Sequence, residues 1–372
     1  MASYRAPFVI HNPVIRPGEC ILVTGANGYI ASHLIDQLLA AGYRVRGTVR
    51  DLNKYDWVGK FFNQRHEGGM FELALVNNMA ADGAFDEVIR GMSGVCHVAI
   101  GGFSVDPNVI DYTVDSTKRL FEAASRQPSV KRFVYTSSIT AAFGQYFDGM
   151  LTVDQNTWNK QVVEMLGAPP PSGLDMSNPI TRALALYDAS KVLAEWEVYT
   201  TQRGSMEVNS VLPGFTLGKI LAPGFQGTPS SAFFLKLLWT GGVAEFSTIG
   251  APLHIDVEDC ARLHIAALLM PRVVNQRIFA AFTPVNSSML LMMLQDLYPD
   301  AKFRMEGSDT RIMRCNMPNI QAAALLRQMG FPGYTSVKDS VKRLTHDIAP
   351  SLDQPLTSLG EQRPDSPQQA IG

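Results

Sequence analysis

A tyrosine and a lysine with helical spacing are the side chains of this chain that could most readily move a proton together. Tyr187 and Lys191 are four residues apart at the head of a helix-like segment, so both side chains would share one helical face. A phenol titrates at about 10, but an ammonium about 4–6 Å away lowers that pKa toward neutrality. The pair therefore predicts an acid–base centre, although the same spacing also occurs in many helices as an exposed pair.

Hydroxyl side chains follow a strand-like run earlier in the chain. Residues 132–135 are apolar or aromatic after the first, and Thr136, Ser137 and Ser138 come next. Ligands of open α/β sheets bind at the carboxyl ends of the strands. Ser138 could donate a hydrogen bond to a substrate oxygen while Tyr187 delivers the proton. Ser137 is the fallback for that role, and a serine that only caps the loop is the alternative for either.

A glycine-containing turn lies between the first apolar run and an amphipathic helical pattern. Gly25 permits a tight turn, Gly28 lets backbone N–H groups approach a pyrophosphate, and Ala31 permits close packing of helix and strand. This context predicts a dinucleotide site, with a plain strand–helix turn as the alternative. We expect the cofactor to contact Gly25, Asn27, Gly28, Tyr29, Ile30 and Thr136.

The end of the second predicted strand indicates which dinucleotide fits. An acidic residue there binds a free ribose 2′-hydroxyl, whereas a cation pairs with a 2′-phosphate. This strand ends at Arg50, and Lys54 follows one turn later. Because arginine binds phosphate oxygens bidentately, the sequence favours NADP(H) over NAD(H), with Arg50 and Lys54 as ligands. Asp51 offers a carboxylate one residue late, and a solvated Arg50 is the alternative.

Residues 19–136 alternate short apolar runs with helical periodicity. This alternation predicts an α/β fold with a Rossmann-type doubly wound parallel sheet. Strands are predicted at 20–23, 45–49, 71–76, 95–99, 132–135 and 208–212. Helices are predicted at 30–39, with Gly42 as the C-terminal cap, and at 120–125, 188–200, 233–239 and 289–298.

The composition changes after Pro213, where glycine, proline and aromatic residues become frequent. This change predicts a smaller C-terminal substrate lobe interleaved with the first unit. We predict an N-terminal extension at 1–18, a mainly NADP-binding Rossmann domain at 19–212, a mainly substrate-binding lobe at 213–349 and a disordered tail at 350–372.

Composition restricts the class of partner. The chain has 372 residues, 46% of them hydrophobic, and a formal net charge of −2. It can bury a large core, but it lacks the basic surface of a nucleic-acid binder, so a small-molecule partner is expected. No apolar run approaches the roughly 18–20 residues that span a bilayer, so we expect no membrane partner and a cytoplasmic location. The four cysteines have no paired spacing, which favours buried thiols and no metal site.

Taken together, the motifs resemble those of the extended short-chain dehydrogenase/reductases. The chain is most similar to the dihydroflavonol-reductase-like group, especially to fungal NADPH-dependent aldehyde or carbonyl reductases. The resemblance covers about residues 21–348 and rests on segments 23–33, 45–50, 83–88, 94–99, 136–138, 187–191 and 212–218. It implies a catalytic triad of Ser138, Tyr187 and Lys191. The implied activity is reduction of a ketone or aldehyde to the alcohol, with Tyr187 as the proton donor.

The resemblance also assigns cofactor contacts. It implies that Arg50 binds the 2′-phosphate, that Ala99 flanks the cofactor and that Pro213 and Phe215 border the nicotinamide. Near the adenine, relatives usually carry an aspartate before an apolar residue. This chain has Asn78 and Met79 at that place, and we expect them to contact the adenine.

Aromatic and apolar side chains near strand ends and in the second lobe are candidates for substrate contact. They are Phe103, Phe143, Tyr146, Leu186, Phe215, Phe225, Phe233 and Trp239. Core packing explains any one of them at least as well, but as a set they favour an apolar or aromatic carbonyl compound. His254 and His264 are expected to be structural.

Two other functions remain open. An NAD-dependent sugar-nucleotide epimerase or dehydratase would use the same scaffold and would need basic residues for a nucleoside diphosphate. A regulator that senses NADP without turnover is the second alternative. Such proteins commonly lack the Tyr187 and Lys191 pair, which this chain has.

Overall fold

The structure is a computed structural model that describes residues 7–66, 68–144, 150–167, 176–202 and 204–352. The strands of this part of the chain are β1 (Cys20–Thr24), β2 (Arg44–Val49), β3 (Phe71–Leu75), β4 (Gly94–His97), β5 (Arg132–Thr136), β6 (Met150–Thr152), β7 (Glu207–Pro213), β8 (Phe215–Leu217), β9 (Leu253–Asp256), β10 (Arg277–Ala280), β11 (Thr283–Pro284) and β12 (Arg314–Asn316). The helices are α1 (Tyr29–Ala40), α2 (Asp56–Arg65), α3 (Asn108–Ser125), α4 (Lys160–Glu164), α5 (Pro179–Thr200), α6 (Pro223–Gln226), α7 (Ser231–Trp239), α8 (Val243–Ser247), α9 (Val257–Leu269), α10 (Ser287–Leu297), α11 (Asn319–Gln328) and α12 (Val337–Leu352). The described residues also form 3₁₀ helices at Ile139–Ala141 and Met165–Gly167.

A seven-stranded sheet lies at the centre of the fold, in the order β10-β7-β5-β4-β1-β2-β3. Its neighbouring strands all pair in parallel, so each connection has to cross over a face of the sheet. The strand order changes direction between β1 and β4, and the crevice at such a point binds ligands in doubly wound folds. The predicted Rossmann-type doubly wound sheet is confirmed.

Helices cover both faces of the sheet, which explains why β4 and β5 are buried along their whole length. On one face, Leu34 of α1 and Leu263 of α9 belong to one apolar cluster. On the other face, Leu120 of α3 and Val198 of α5 pack with Phe133 of β5. The carboxyl ends of the strands stay uncovered by these layers, so the loops that follow the strands can form a site.

The helix that carries Tyr187 begins earlier than the predicted range 188–200. It starts at Pro179, because the side chain of Asn178 accepts hydrogen bonds from the N–H groups of Ile180 and Thr181 at 2.9 and 3.2 Å. Proline suits the first helical position, where its missing N–H would have no partner. Tyr187 therefore lies inside α5 instead of at its head. Helical residues precede and follow it, so its backbone position is well defined.

Other predicted elements are present with shifted ends. The range 120–125 is the last part of the 18-residue helix α3. The predicted strand at 95–99 stops at His97, because the next two N–H groups bond a side chain instead of a strand, as described below. Gly42 follows α1 with φ of +84°, and its N–H donates to the carbonyl of Leu39 at 3.0 Å, as expected of a C-terminal cap.

A smaller layer follows Pro213. Helices α7, α8, α10 and α12 share an apolar cluster with β8 and reach Tyr29 and Leu184 of the first unit. The same range also gives β10 to the central sheet and α9 to its face, so the two predicted domains share elements, and their boundaries stay predictions. Residues 350–352 of the predicted tail belong to α12, and the rest of that tail lies outside the described residues. Within the described ranges, no helix is long and apolar enough to cross a membrane.

Candidate active site

A cavity of about 990 Å³ lies at the carboxyl ends of the central strands. Its lining includes residues from the loops that follow six strands, β1, β2, β3, β4, β5 and β7. The cavity therefore brings together the glycine turn and the Tyr187 segment, which are far apart in the chain. The predicted site residues that line it are Gly25, Asn27, Gly28, Tyr29, Ile30, Arg50, Asn78, Met79, Ala99, Phe103, Thr136, Ser138, Phe143, Tyr187, Lys191, Pro213 and Phe215.

Tyr187 and Ser138 both line this cavity, and hydrogen bonding by the Ser138 hydroxyl lowers the pKa of the Tyr187 phenol. The ring of Phe103 stacks on the ring of Tyr187, with the centroids 4.7 Å apart and the planes at 30°. Burial raises the pKa of Tyr187 well above its ordinary value, and the hydrogen bond with Ser138 opposes this shift. Tyr187 is therefore a neutral phenol that can donate a proton.

Lys191 lies one helical turn after Tyr187 and is buried. Its Nζ donates to the carbonyl oxygen of Thr136 at 2.6 Å and lies 5.9 Å from the ring centroid of Tyr187. Burial lowers the pKa of Lys191 to about 7, and the charge of Glu195 opposes this shift. The spacing predicted that Lys191 lowers the pKa of Tyr187, but the net shift of Tyr187 is upward because burial of the phenol outweighs other influences.

The two serines after β5 have different partners. Ser137 donates from its hydroxyl to Oε2 of Glu195 at 2.8 Å. Glu195 is fully buried and forms a two-pronged ion pair with Arg277, at 2.9 and 3.0 Å. Ser138 instead accepts hydrogen bonds from the N–H and the hydroxyl of Thr140, at 3.3 and 2.9 Å. Ser138, not Ser137, is thus the serine placed beside Tyr187.

The glycine turn has the form of an anion cradle. Gly25 has φ of +69°, and a Cβ there would lie only 3.1 Å from the Cβ of Ala99, so the position requires glycine. The first helical bond of α1 runs from the N–H of Ser32 to the carbonyl of Gly28 at 2.9 Å. The N–H groups of the three residues before Ser32 therefore have no acceptor within the helix. Together with the helix dipole, this arrangement fits a pyrophosphate.

A buried histidine holds the loop that faces this cradle. The hydroxyl of Thr24 accepts hydrogen bonds from the N–H groups of Val98 and Ala99, both at 3.0 Å. Its own hydrogen then goes to Nδ1 of His97 at 2.9 Å. Burial lowers the pKa of His97 to about 3, so the ring stays neutral and can accept. This network ends β4 at His97 and places Ala99 against Gly25.

The two phosphate ligands predicted near the end of β2 differ in their position relative to the cavity. Arg50 is exposed and lines the cavity, whereas Lys54 does not line it. The Nζ of Lys54 lies 5.9 Å from the ring centroid of Tyr55, and a role for Lys54 in cofactor binding stays a prediction. Asp51 accepts hydrogen bonds at Oδ1 from the N–H groups of Asn53 and Lys54 at 2.8 and 3.0 Å. One oxygen of Asp51 is therefore occupied in closing the turn.

Asn78 and Met79 line the cavity after β3, where the adenine contact is predicted. The side-chain oxygen of Asn78 accepts a hydrogen bond from the N–H of Ala80 at 3.1 Å. The amide nitrogen of Asn78 is the donor that this side chain can offer a ligand.

A family comparison identifies the kind of protein that carries this site. The profile of the NAD dependent epimerase/dehydratase family matches residues 21–280, which include the glycine turn, Ser138, Tyr187 and Lys191. The chain belongs to this family.

Comparison with individual proteins shows which members of the family the chain resembles. Ketoreductase adrE of Penicillium rubens is 38% identical over 297 residues, which cover 78% of this chain and 83% of that protein. Aldehyde reductase 2 of Sporidiobolus salmonicolor is 32% identical over 343 residues, which cover 90% and 97%. The structure of Gre2 from Candida albicans in complex with NADPH superposes with a TM-score of 0.73 at 23% identity, covering 90% of this chain and 99% of that one. The predicted resemblance to extended short-chain dehydrogenase/reductases and to fungal reductases is confirmed.

Part of this family member's cavity has an apolar, largely aromatic lining. Of the predicted substrate contacts, Phe103, Phe143 and Phe215 line the cavity. Phe233 does not; its neighbour Phe234 lines the cavity instead, and the two ring centroids are 5.9 Å apart. Helical geometry turns successive side chains by about 100°, so only one of two adjacent phenylalanines can face the site.

Other candidates from the sequence lie away from the cavity. Phe225 stacks on Trp57 with centroids 4.9 Å apart, Leu186 is buried outside the lining, and Trp239 packs edge-on against Phe303 at 5.1 Å. Tyr146 lies outside the described residues. His264 is structural as expected: its ring nitrogens bond Thr136 and Cys260.

Sequence reasoning missed several lining residues. They come from distant segments and are of ordinary core type: Leu184, Phe234, Ile249, Leu253 and Met313. It also missed Gln226, whose amide nitrogen donates to the carbonyl oxygens of Asn27 and Gly28 at 3.1 and 3.2 Å. The hydroxyl of Tyr29 donates back to the carbonyl of Gly218 at 2.6 Å. These bonds tie the glycine turn to the second lobe, and no local pattern could have revealed them.

Proposed function

We propose that this protein reduces a neutral, largely apolar ketone or aldehyde to the alcohol with NADPH. The observation that carries the proposal is the position of the Tyr187 and Ser138 hydroxyl pair. The pair lines the same cavity as the glycine turn and a set of apolar side chains. The names of the relatives, a ketoreductase and an aldehyde reductase, support the same class of reaction.

NADPH fits the cofactor end through its phosphates. The free N–H groups at the start of α1 would hold the pyrophosphate, and Arg50 would pair with the 2′-phosphate. Asp51 competes poorly for a ribose hydroxyl, because its Oδ1 is occupied by two backbone N–H groups. The complex of Candida Gre2 with NADPH supports this choice of cofactor.

The residues around the reacting carbonyl would each have a separate role in the reaction. Bound NADPH supplies a hydride to the carbonyl carbon. The neutral phenol of Tyr187 gives its proton to the carbonyl oxygen, and the hydroxyl of Ser138 donates a hydrogen bond to the same oxygen. Lys191, anchored to the carbonyl of Thr136, would hold the ribose next to the nicotinamide and stabilise the phenolate left on Tyr187.

The charges of the cavity favour a neutral substrate. Among the described lining residues, the charged side chains are Arg50, Asp51 and Lys191, all assigned to the cofactor or the acid–base centre. The remaining end is formed mainly by aromatic and aliphatic groups, such as Phe143, Phe215 and Met313. A carboxylate or diphosphate placed there would lose hydration without gaining a cationic partner.

The test measures how fast matched neutral and charged carbonyl compounds are reduced with NADPH and with NADH. We expect NADPH oxidation, followed by absorbance, with benzaldehyde and acetophenone, at a kcat/KM at least about tenfold above that with NADH. The charged analogue 4-carboxybenzaldehyde is the matched control and should react at least about tenfold more slowly. Failure to reduce any of a panel of aldehydes, aryl ketones and β-keto esters would refute the proposal.

An epimerase or dehydratase acting on a sugar nucleotide is the second candidate, because the family includes such enzymes. That function predicts a tightly held NAD that survives purification and turnover of a nucleotide sugar without added cofactor. The absorption spectrum of the purified protein distinguishes the two candidates. We expect no retained nicotinamide and no such turnover.

A further inference from the structure

The ammonium group of Lys191 is buried with few polar partners. The residue is 1% exposed, and its Nζ donates to the carbonyl oxygen of Thr136 at 2.6 Å. Among the ion pairs of the described residues none includes Lys191, and Glu195, whose charge acts on it, already pairs with Arg277 at 2.9 Å. Burying an ammonium is costly unless other groups stabilise its charge. Lys191 therefore needs a further source of stabilisation.

The ring of Tyr135 is placed to supply it. The Nζ of Lys191 lies over this ring, 5.1 Å from its centroid, compared with 5.9 Å for the ring of Tyr187. A cation within about 6 Å of an aromatic face is attracted by the ring quadrupole, and the attraction is stronger where water is excluded. The ammonium is thus closer to Tyr135 than to the tyrosine of the acid–base centre.

The geometry of β5 explains this contact. Successive side chains of a strand point to opposite faces of the sheet. The Thr136 side chain bonds Nε2 of His264 on the α9 face at 2.8 Å. Tyr135 lies on the other face, in one apolar cluster with Val198 of α5, and Lys191 reaches the sheet from the same helix. Adjacent residues of β5 therefore contact the ammonium, one through its carbonyl group and the other through its ring.

Tyr135 itself is separate from the reacting groups. It is 1% exposed and does not line the cavity. Its hydroxyl is buried and has no hydrogen-bond partner within the described part of the chain. The ring, not the hydroxyl, is therefore the part of Tyr135 that can act on the site, and it can do so only through Lys191.

The nearby histidines do not compete with this contact. The ring of His97 lies beside the ring of Tyr135, with the centroids 5.8 Å apart. Burial lowers the pKa of His97 to about 3 and that of His264 to about 4, and the charge of Lys191 lowers both as well. Both imidazoles are neutral near pH 7, so neither repels the ammonium.

We propose that Tyr135 is a positioning residue that holds the ammonium of Lys191 through a cation–π contact. The inference rests on the proposed reductase function, in which Lys191 stabilises the phenolate left on Tyr187. It adds the residue that keeps this charge in place against the carbonyl of Thr136. Without the ring, the ammonium loses its main aromatic partner, and its charge stabilises the phenolate less well.

Substitutions in β5 test the role of the ring. Tyr135→Leu removes the aromatic face, so kcat with saturating NADPH and carbonyl substrate should fall about tenfold at about pH 7, with the KM for the carbonyl substrate changed by less than about twofold. Tyr135→Phe keeps the face, and its kcat should stay within about twofold of wild type. A loss of kcat in Tyr135→Phe equal to that in Tyr135→Leu would overturn the proposal.

Phe133→Leu is the matched control for loss of a buried ring. Phe133 is fully buried in the same apolar cluster, two residues earlier on the same face of β5 and therefore further from the carboxyl end of the strand. The variant should be destabilised about as much as Tyr135→Leu in urea unfolding, while its kcat changes by less than about twofold. Equal losses of kcat in the two leucine variants would show that Tyr135 serves only the core.

A fluorinated series provides a second test that does not depend on the folding of Tyr135→Leu. Position 135 is filled with phenylalanine that carries no, one, two or three ring fluorines. Fluorine withdraws electron density from the ring face and leaves the shape of the side chain nearly unchanged. We expect kcat to fall with each added fluorine, by about fivefold over the series. A kcat that does not change along the series would contradict the cation–π contact.

Failure of this contact and failure of the reductase function give different results. If Tyr187→Phe keeps full turnover, the proposed function itself is wrong. If Tyr187→Phe is inactive while kcat is constant along the fluorinated series, only the role of Tyr135 is wrong.

Discussion

Tyr187, Ser138 and Lys191 could be predicted from the sequence because their types and spacing are distinctive. Their protonation states could not, because burial determines them. Desolvation raises the pKa of the partly buried Tyr187 phenol, and the pKa of buried Lys191 falls to about 7 for the same reason. Nor could spacing separate Ser138 from Ser137, since the difference is a hydrogen bond to Glu195, 58 residues later.

The two serines make a matched pair of variants. Ser138→Ala removes the donor to the substrate oxygen, so kcat should fall by about 10²–10³, as for loss of an oxyanion donor. Ser137→Ala removes a bond to buried Glu195 and should lower the free energy of unfolding by about 1–3 kcal/mol, with kcat changed by less than about fivefold. Steady-state kinetics and urea unfolding measure both effects. A larger loss of kcat in Ser137→Ala would reverse the assignment.

Arg50 and Lys54 offer a second comparison. Arg50 lines the cavity and Lys54 does not, although both are cations near the end of β2. Arg50→Ala should raise the KM for NADPH about 10–100-fold through loss of charge-assisted hydrogen bonds, with little change in the KM for NADH. Lys54→Ala should change the KM for NADPH by less than about threefold. If the two cofactors respond equally to Arg50→Ala, Arg50 does not bind the 2′-phosphate.

Helix α5 positions the acid–base centre as one rigid element. Tyr187, Lys191 and Glu195 follow at intervals of four along one face. The first two could be predicted as a pair, whereas no sequence pattern marks Glu195. It is fully buried because Arg277 of β10 neutralises it, and that partner lies 82 residues away. Long-range ion pairs of this kind leave no local signal.

The Glu195 and Arg277 pair should anchor α5 to the sheet. Glu195→Ala leaves Arg277 buried without its counter-charge, so the free energy of unfolding should fall by roughly 3–5 kcal/mol. The control is Asp56→Ala, which removes an exposed pair with Lys60 and should change stability by less than about 1 kcal/mol. Urea unfolding measures both. Equal effects of the two variants would show that the buried pair has no special anchoring role.

Helix α6 should support the glycine turn through Gln226. Gln226→Leu removes the bonds to the carbonyl oxygens of Asn27 and Gly28, so NADPH affinity should fall about fivefold. Gln295 makes similar carbonyl bonds outside the cavity, which makes Gln295→Leu the control with unchanged affinity. Fluorescence titration with NADPH measures both. A normal dissociation constant for Gln226→Leu would show that the turn holds its form without α6.

Across the whole molecule, the central sheet could be predicted because alternating apolar runs and helical periods are local patterns. The glycine turn could be predicted for the same reason. The apolar lining could be predicted only in part, because Ile249, Leu253 and Met313 reach the cavity only through the packing of distant segments. In the sequence they are indistinguishable from core residues. The complete apolar lining therefore follows from the fold, not from a motif.

The central claim is that these distant segments place Tyr187 where it protonates the substrate carbonyl. Single-turnover oxidation of NADPH in wild type and Tyr187→Phe tests this claim most directly. Saturating carbonyl substrate is mixed with the protein–NADPH complex, and NADPH binding is measured separately. We predict that hydride transfer slows by about 10²–10⁴, the usual contribution of a general acid, while the dissociation constant of NADPH changes by less than about threefold. A transfer rate within about threefold of wild type, with NADPH binding intact, would contradict the account.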